Sequence, residues 1–125
     1  EGRAAVANNL GADVFAAIHC NSSTSAASCG TSTYYYAPAT FDAAQRAARE
    51  RLASSVQEEL VKALGRKDLG ILQANFSVLR NTYVPSILVE TAFLSNPEEE
   101  ALLRSSSFQV KAGEAVAKGI IKFLE

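Results

Sequence analysis

Val84-Pro85-Ser86-Ile87-Leu88-Val89-Glu90-Thr91-Ala92-Phe93-Leu94-Ser95-Asn96-Pro97-Glu98-Glu99-Glu100 is the stretch on which the fold turns. Pro85 admits a strand over 86–90 whose run Ile87-Leu88-Val89 is continuous rather than alternating. Continuous apolar character is what a parallel strand covered by helices on both faces requires. Asn96, Pro97 and Glu99 then stand at the N-cap, N1 and N3 positions of a capping box, so a short helix starts there. A second run of the same kind, Val14-Phe15-Ala16-Ala17-Ile18, ends in His19 and predicts a central strand over 14–19.

Each run ends in one ionisable side chain, His19 or Glu90. No Asp, Glu, Lys or Arg lies between Val14 and Thr40, and Glu90 is the only one between Asn81 and Pro97. An ionisable group buried without partners is costly, or it neutralises. Both groups are therefore expected at strand ends facing a cleft. Ligands of open α/β sheets bind beyond the carboxyl ends of the strands, where both would fall.

The rest of the chain follows from the same signals. Ala4, Ala7 and Leu10 make a short helical face that Gly11 terminates, residues 21–30 read as a loop, and residues 31–36 as a more polar strand closed by Pro38. Thr40 is positioned to cap a long helix, with Phe41, Ala44, Ala48, Leu52, Val56, Leu60 and Leu64 as its apolar stripe and Gly65 as its stop. Residues 66–74 read as a loop and residues 76–80 as a third strand. Phe108, Ala112, Ala115, Val116, Ile120 and Leu124 form the buried face of a closing helix. The predicted class is α/β: an open mixed, largely parallel sheet flanked by helices on both faces, in a single domain.

A length of 125 residues suits one compact domain or a piece of one. Twelve basic residues against 13 acidic leave a net charge of -1, without the field that draws in nucleic acid or an anionic membrane. No apolar run approaches a bilayer span of roughly 18 residues, and no signal segment opens the chain. The chain has no Met and begins within a helical pattern, from which upstream residues are expected. Cys20 and Cys29 read equally as a disulfide across a Ser-rich loop or as two small apolar residues.

Glu90 has two readings: a carboxylate whose pKa is raised for general acid/base work, or a structural partner of Arg80 or of backbone amides. His19 reads as a metal ligand or as an ordinary hydrogen-bonded residue. Arg80, expected at the end of the strand neighbouring that of Glu90, stands to orient Glu90, to meet a substrate carboxylate, or to form a structural ion pair. Asn21 and Asn75 read as cleft-lining amides or as turn chemistry. Tyr34, Tyr35 and Tyr36 alternate in direction along a strand, so they read as sheet packing. Cys20 points away from its neighbour His19 in a strand, which weakens a cysteine-hydrolase reading.

The segments Ala7-Asn8-Asn9-Leu10-Gly11-Ala12-Asp13-Val14-Phe15-Ala16-Ala17-Ile18-His19-Cys20-Asn21, Gly70 to Ala74 with Phe76 to Arg80, and above all Val84 to Glu100 resemble the zinc-dependent N-acetylmuramoyl-L-alanine amidases of the amidase-3 class. The resemblance runs almost end to end. It implies that His19 is a ligand of a catalytic Zn2+ and that Glu90 is catalytic. It implies a peptidoglycan hydrolase cutting between N-acetylmuramic acid and L-alanine, acting outside the cytoplasm, in the cell wall or periplasm. The family's other two zinc ligands, a His after its first strand and a Glu on the following helix, have no counterpart here, and His19 is the only histidine. Residues 1–125 are thus expected to be the C-terminal portion of such a domain, lacking its N-terminal strand and helix. A non-catalytic wall-binding module on the same fold is the alternative. Some family members carry a blocking helix after the histidine ligand; the 12 residues from Asn21 to Ser32 are too few for one, so an open cleft is expected. Sheet surface left bare by the missing strand makes self-association a further expectation.

Overall fold

The computed structural model describes residues 2–125. In chain order the elements are α1 (Gly2–Leu10), β1 (Phe15–Asn21), β2 (Thr31–Tyr35), α2 (Ala43–Leu64), β3 (Asp68–Gln73), α3 (Ser77–Arg80), β4 (Ser86–Phe93), α4 (Pro97–Leu103) and α5 (Ser106–Leu124). The four strands form one open sheet in the order β1-β4-β2-β3. β1 runs parallel to β4 and β2 parallel to β3, while β2 and β4 are antiparallel. The sheet is mixed and largely parallel, with helices on both faces, as the sequence predicts.

Period-two alternation sorts β4 between two cores. Ile87 and Val89 face Leu52, Val56 and Leu60 of α2 and Ala112, Ala115 and Val116 of α5. Leu88 faces the opposite side, with Ala17 of β1 and Val78 and Leu79 of α3. Tyr34 and Tyr36 pack on this second side and Tyr35 on the first, the alternation expected of strand residues. The helix pair α2 and α5 approaches closely at Gly119, where a Cβ would stand 2.5 Å from the Cα of Val56. The Ser55 hydroxyl donates to the Gly119 carbonyl at the same crossing, at 2.7 Å.

The structure corrects several expectations. Residues 76–80 are not a strand: Phe76 caps the short helix α3, and the strand lies one segment earlier, at Asp68–Gln73, in the expected loop. Val78 and Leu79 are neighbours in sequence and both buried on the same side of the sheet, which a helical turn lying on a sheet face achieves and a strand cannot. β1 is an edge strand rather than a central one, and Ile18 on its outer part is 53% exposed. β4 extends to Phe93 and β1 to Asn21, so Glu90 and His19 lie within strands and not at their ends. The long helix is capped by Asp42, whose carboxylate accepts from the Gln45 amide, and not by Thr40.

Ala44, assigned to the buried stripe of α2, is exposed, and Arg49 supplies buried contacts toward that end of the helix. Its guanidinium donates to the carbonyls of Leu79 and Thr82 and to the Ser86 hydroxyl, fastening the turn that leads into β4. The ring of Phe41 lies 4.9 Å from the same guanidinium. Burial lowers the pKa of Arg49 from its ordinary value. On the far side of that turn, Asn8 of α1 donates to the Asn81 carbonyl and accepts from the Tyr83 amide.

Candidate active site

β4 is the inner strand that carries Glu90. Its neighbour on one side places His19 in register with Glu90, and its neighbour on the other places Ser32 there. Glu90 lies two residues beyond Leu88, and His19 two beyond Ala17, so imidazole and carboxylate project from the same sheet face on adjacent strands. Strands in a sheet lie about 4.8 Å apart, which makes the two side chains direct neighbours.

Glu90 Oε1 is buried and has no hydrogen-bond partner among the described residues. Burial holds this carboxyl above the usual carboxylate range, and the nearby charge of His19 opposes the shift. Neither structural alternative is realised: Arg80 makes no ion pair with Glu90, and no backbone amide reaches the buried oxygen. An orphaned carboxylate oxygen beside an exposed imidazole is poised to accept a proton or a polar ligand group.

Arg80 is not at the end of a strand next to Glu90. It lies on α3, exposed, and donates to the Asn75 side chain at 2.6 Å. Ala74 bonds to the Tyr35 carbonyl, one residue beyond the Tyr34–Leu88 pair. At a rise of about 3.3 Å per residue and about 4.8 Å between strands, Asn75, which follows β3 two strands from β4, sits roughly 10–13 Å along the strands and roughly 10 Å across them from Glu90. Asn21 serves turn chemistry, its side chain accepting from Ser22 and its carbonyl from Leu94. Cys20 and Cys29 are free thiols. The connection between β1 and β2 carries no helix.

Glu99 is the residue whose part the sequence reading misses. It stands at N3 of α4, as expected, and its amide is capped by Asn96 at 3.0 Å. Its carboxylate, however, does not turn back to the cap. It is fully buried and accepts from the Phe93 amide at 2.8 Å, from the Gly30 amide at 3.0 and 3.1 Å, and from Arg66 Nε at 2.8 Å. The clamp joins the start of β2, the end of β4 and the lead into β3 around the stretch that carries Glu90. Gly30 has φ +118° and a Cβ there would lie 2.7 Å from the Lys67 carbonyl, so the chain passes where only glycine fits. The signal was present: Glu99 precedes Leu102 and Leu103 by three and four, the helical spacing of a buried face.

A catalytic zinc site takes three protein ligands. Among the described residues no three His, Cys, Asp or Glu side chains cluster for a metal. His19 fits as one donor, and the set is not completed within these residues.

The sequence model described as N-acetylmuramoyl-L-alanine amidase, Amidase_3, matches residues 1–122. The chain is 36% identical over 112 residues to the N-acetylmuramoyl-L-alanine amidase LytC of Bacillus subtilis, covering 90% of the chain and 22% of LytC. Its fold superposes with a TM-score of 0.90 on the N-acetylmuramoyl-L-alanine amidase of Clostridium difficile 630, at 34% identity, covering 98% of the chain and 63% of that structure. The catalytic domain of CwlV, an N-acetylmuramoyl-L-alanine amidase from Bacillus (Paenibacillus) polymyxa var. colistinus, gives 0.83 at 41% identity, with 95% and 62% covered. The chain thus spans less than two thirds of each of these relatives. With the match running over nearly all of its residues and the same sheet beneath it, the chain belongs to the N-acetylmuramoyl-L-alanine amidase family Amidase_3.

Proposed function

We propose that residues 1–125 are the C-terminal portion of the catalytic domain of a peptidoglycan hydrolase that cleaves the amide between N-acetylmuramic acid and the L-alanine of the stem peptide. The observation that carries this reading is the buried, unpartnered oxygen of Glu90 beside His19 on one sheet face. Hydrolysing an amide requires a group that takes a proton from water and returns one to the departing nitrogen. Glu90 fills that role: its partly desolvated carboxylate is a stronger base than an exposed one, and no internal hydrogen bond competes for its buried oxygen.

His19 would hold Zn2+ together with ligands from outside these 125 residues. When bound, zinc polarises the amide carbonyl and lowers the pKa of its water to about 7. The unpaired outer edge of β1, lined by exposed Ile18 and facing Val6 of α1 across a cavity of about 470 Å³, is where the rest of the domain would pack. Left bare, that edge would promote self-association. Arg80 would meet a carboxylate of the substrate. The protein would work outside the cytoplasmic membrane, where peptidoglycan lies; no helix of the described residues is long and apolar enough to cross a membrane.

One observation favours a second reading, a non-catalytic wall-binding module: the described residues hold no complete metal site. The two separate in one experiment. Full-length protein carrying this chain is incubated with purified peptidoglycan, with and without a chelator, and new L-alanine amino termini are counted. Release that the chelator stops and that Glu90→Gln abolishes, with wall binding retained, is expected. Wall binding by the native protein without release in the presence of added zinc would establish the module instead.

A further inference from the structure

β2 buries three hydroxyls in a row, those of Thr31, Ser32 and Thr33, at 0%, 1% and 0% exposure. Two of them are spent inside the fold. Thr31 donates to the Thr91 carbonyl at 2.8 Å, and Thr33 to the Gln57 side chain at 2.9 Å. Ser32, between them, is turned the other way. Tyr34, two residues further on, packs with Leu88 on the α3 side of the sheet and is paired with it, and Ser32 is paired with Glu90, two residues beyond Leu88. Alternation along β2 therefore sets the Ser32 side chain on the face that bears Glu90. On that face Glu90 stands between His19 of β1 and Ser32 of β2.

We propose that Ser32 is a positioning residue for Glu90: its hydroxyl donates to the inner carboxylate oxygen, Oε1, and leaves the outer oxygen, Oε2, as the one that handles protons. The inference rests on the amidase reading above and adds to it the residue that fixes which oxygen works. Donors and acceptors support it. Buried polar groups are nearly always hydrogen-bonded, yet Oε1 has no partner among the described residues, and the Ser32 hydroxyl makes no bond to another of them. An ionised carboxylate only accepts, and a serine hydroxyl supplies one donor, so the two are complementary. Distance supports it as well. Residues directly opposed on antiparallel strands have Cβ atoms about 4.5–5.5 Å apart, which the longer glutamate side chain spans by leaning, and rotation about one serine bond aims the hydroxyl. A carboxylate held at one oxygen meets its substrate already oriented, which is where a positioning residue acts on rate.

The test uses full-length protein carrying this chain and a soluble N-acetylmuramoyl peptide. Ser32→Ala is expected to lower kcat about tenfold or more, the size of one lost hydrogen bond to a charged group, while changing KM no more than about twofold. Ser32→Thr keeps the hydroxyl and should recover most of kcat. Thr33→Val removes an equally buried hydroxyl from the other face, and should lower Tm while leaving kcat within about twofold of native. Infrared difference spectra of the metal-free protein supply a readout without turnover. The carboxylate band that Glu90→Gln deletes should shift in Ser32→Ala and return toward its native position in Ser32→Thr. Native kcat in Ser32→Ala with an unmoved Glu90 band would overturn the proposal, as would an equal loss of kcat in Thr33→Val, which would make Ser32 one more structural hydroxyl of β2. No cleavage by the native protein, with the Glu90 band still shifted by Ser32→Ala, would refute the amidase reading while sparing the pairing of Ser32 with Glu90.

Discussion

Removing the Glu99 carboxylate tests whether the clamp holds this end of the sheet together. Glu99→Ala leaves the Gly30 and Phe93 amides without their acceptor in a fully buried site, and leaves Arg66 with only the exposed Glu98. Each buried amide stripped of its partner costs about 1–3 kcal/mol, and breaking a buried charge pair from one side costs about 3–5 kcal/mol. Arg66 is 20% exposed at its side chain and regains water, which places the sum near 4 kcal/mol rather than at the additive limit. At about 2.1 cal/mol/K per residue, these 125 residues contribute an unfolding entropy near 0.26 kcal/mol/K, so Tm should fall by about 15 °C if they melt as a unit and by less within a longer domain. Glu99→Gln keeps one acceptor oxygen but turns a donor toward another donor, and should lose about half as much. Urea melts followed by circular dichroism give the free energies, and a double-mutant cycle with Arg66→Ala should show a coupling of about 1–3 kcal/mol. A Glu99→Ala loss below about 1 kcal/mol would mean that the clamp is incidental, and the account of the site's rim would be wrong.

Glu90→Gln should abolish hydrolysis yet modestly stabilise the metal-free protein at pH 7, because it removes a carboxylate that burial disfavours. A carboxyl whose folded pKa is raised costs stability only once the unfolded chain ionises, so the gain should vanish as pH falls below about 4.3; melts of both proteins at pH 4 and 7 check the sign. Gly119→Ala should cost about 1–3 kcal/mol by forcing α5 away from the Val56 backbone, measured by thermal melting. Arg49→Leu should cost about 2–4 kcal/mol, since it leaves the Leu79 and Thr82 carbonyls and the Ser86 hydroxyl without their donor; faster amide exchange in α3 and at the start of β4 would localise the damage.

Where burial pattern alone decides structure, the sequence was legible. The apolar runs before His19 and Glu90 are strands, the stripe through Leu52, Val56 and Leu60 is the inner face of α2, and Asn96-Pro97 does open α4. Where tertiary context overrides local pattern, it was not. Asp68–Gln73 looks like a loop because Gly70, at φ +79°, interrupts it, yet pairing with β2 makes it a strand. Phe76-Ser77-Val78-Leu79-Arg80 looks like a strand because it is apolar and short, yet it lies on the sheet face, where a turn of helix buries Val78 and Leu79 together. That exchange moved Arg80 off the sheet and away from Glu90. Glu90 and His19 stand out in the sequence because each is alone in an uncharged run, a signal independent of exact strand limits, and the sheet sets them side by side. Glu99 and Arg49 were passed over because a charge on a helix is ordinarily solvated, and their partners lie far away in sequence.

The two neighbours at the centre of the site belong to strands of unequal standing. β4 is laddered on both sides, to β1 and to β2, whereas among the described residues β1 pairs only with β4. Glu90 therefore sits on backbone that opens only when the whole sheet does, and His19 on backbone that can peel from one side without disturbing the other strands. On the proposed reading, the group that would move a proton is built into the strand laddered on both sides. The group that would grip an ion stands on the strand with one ladder, whose free side leaves it room to adjust.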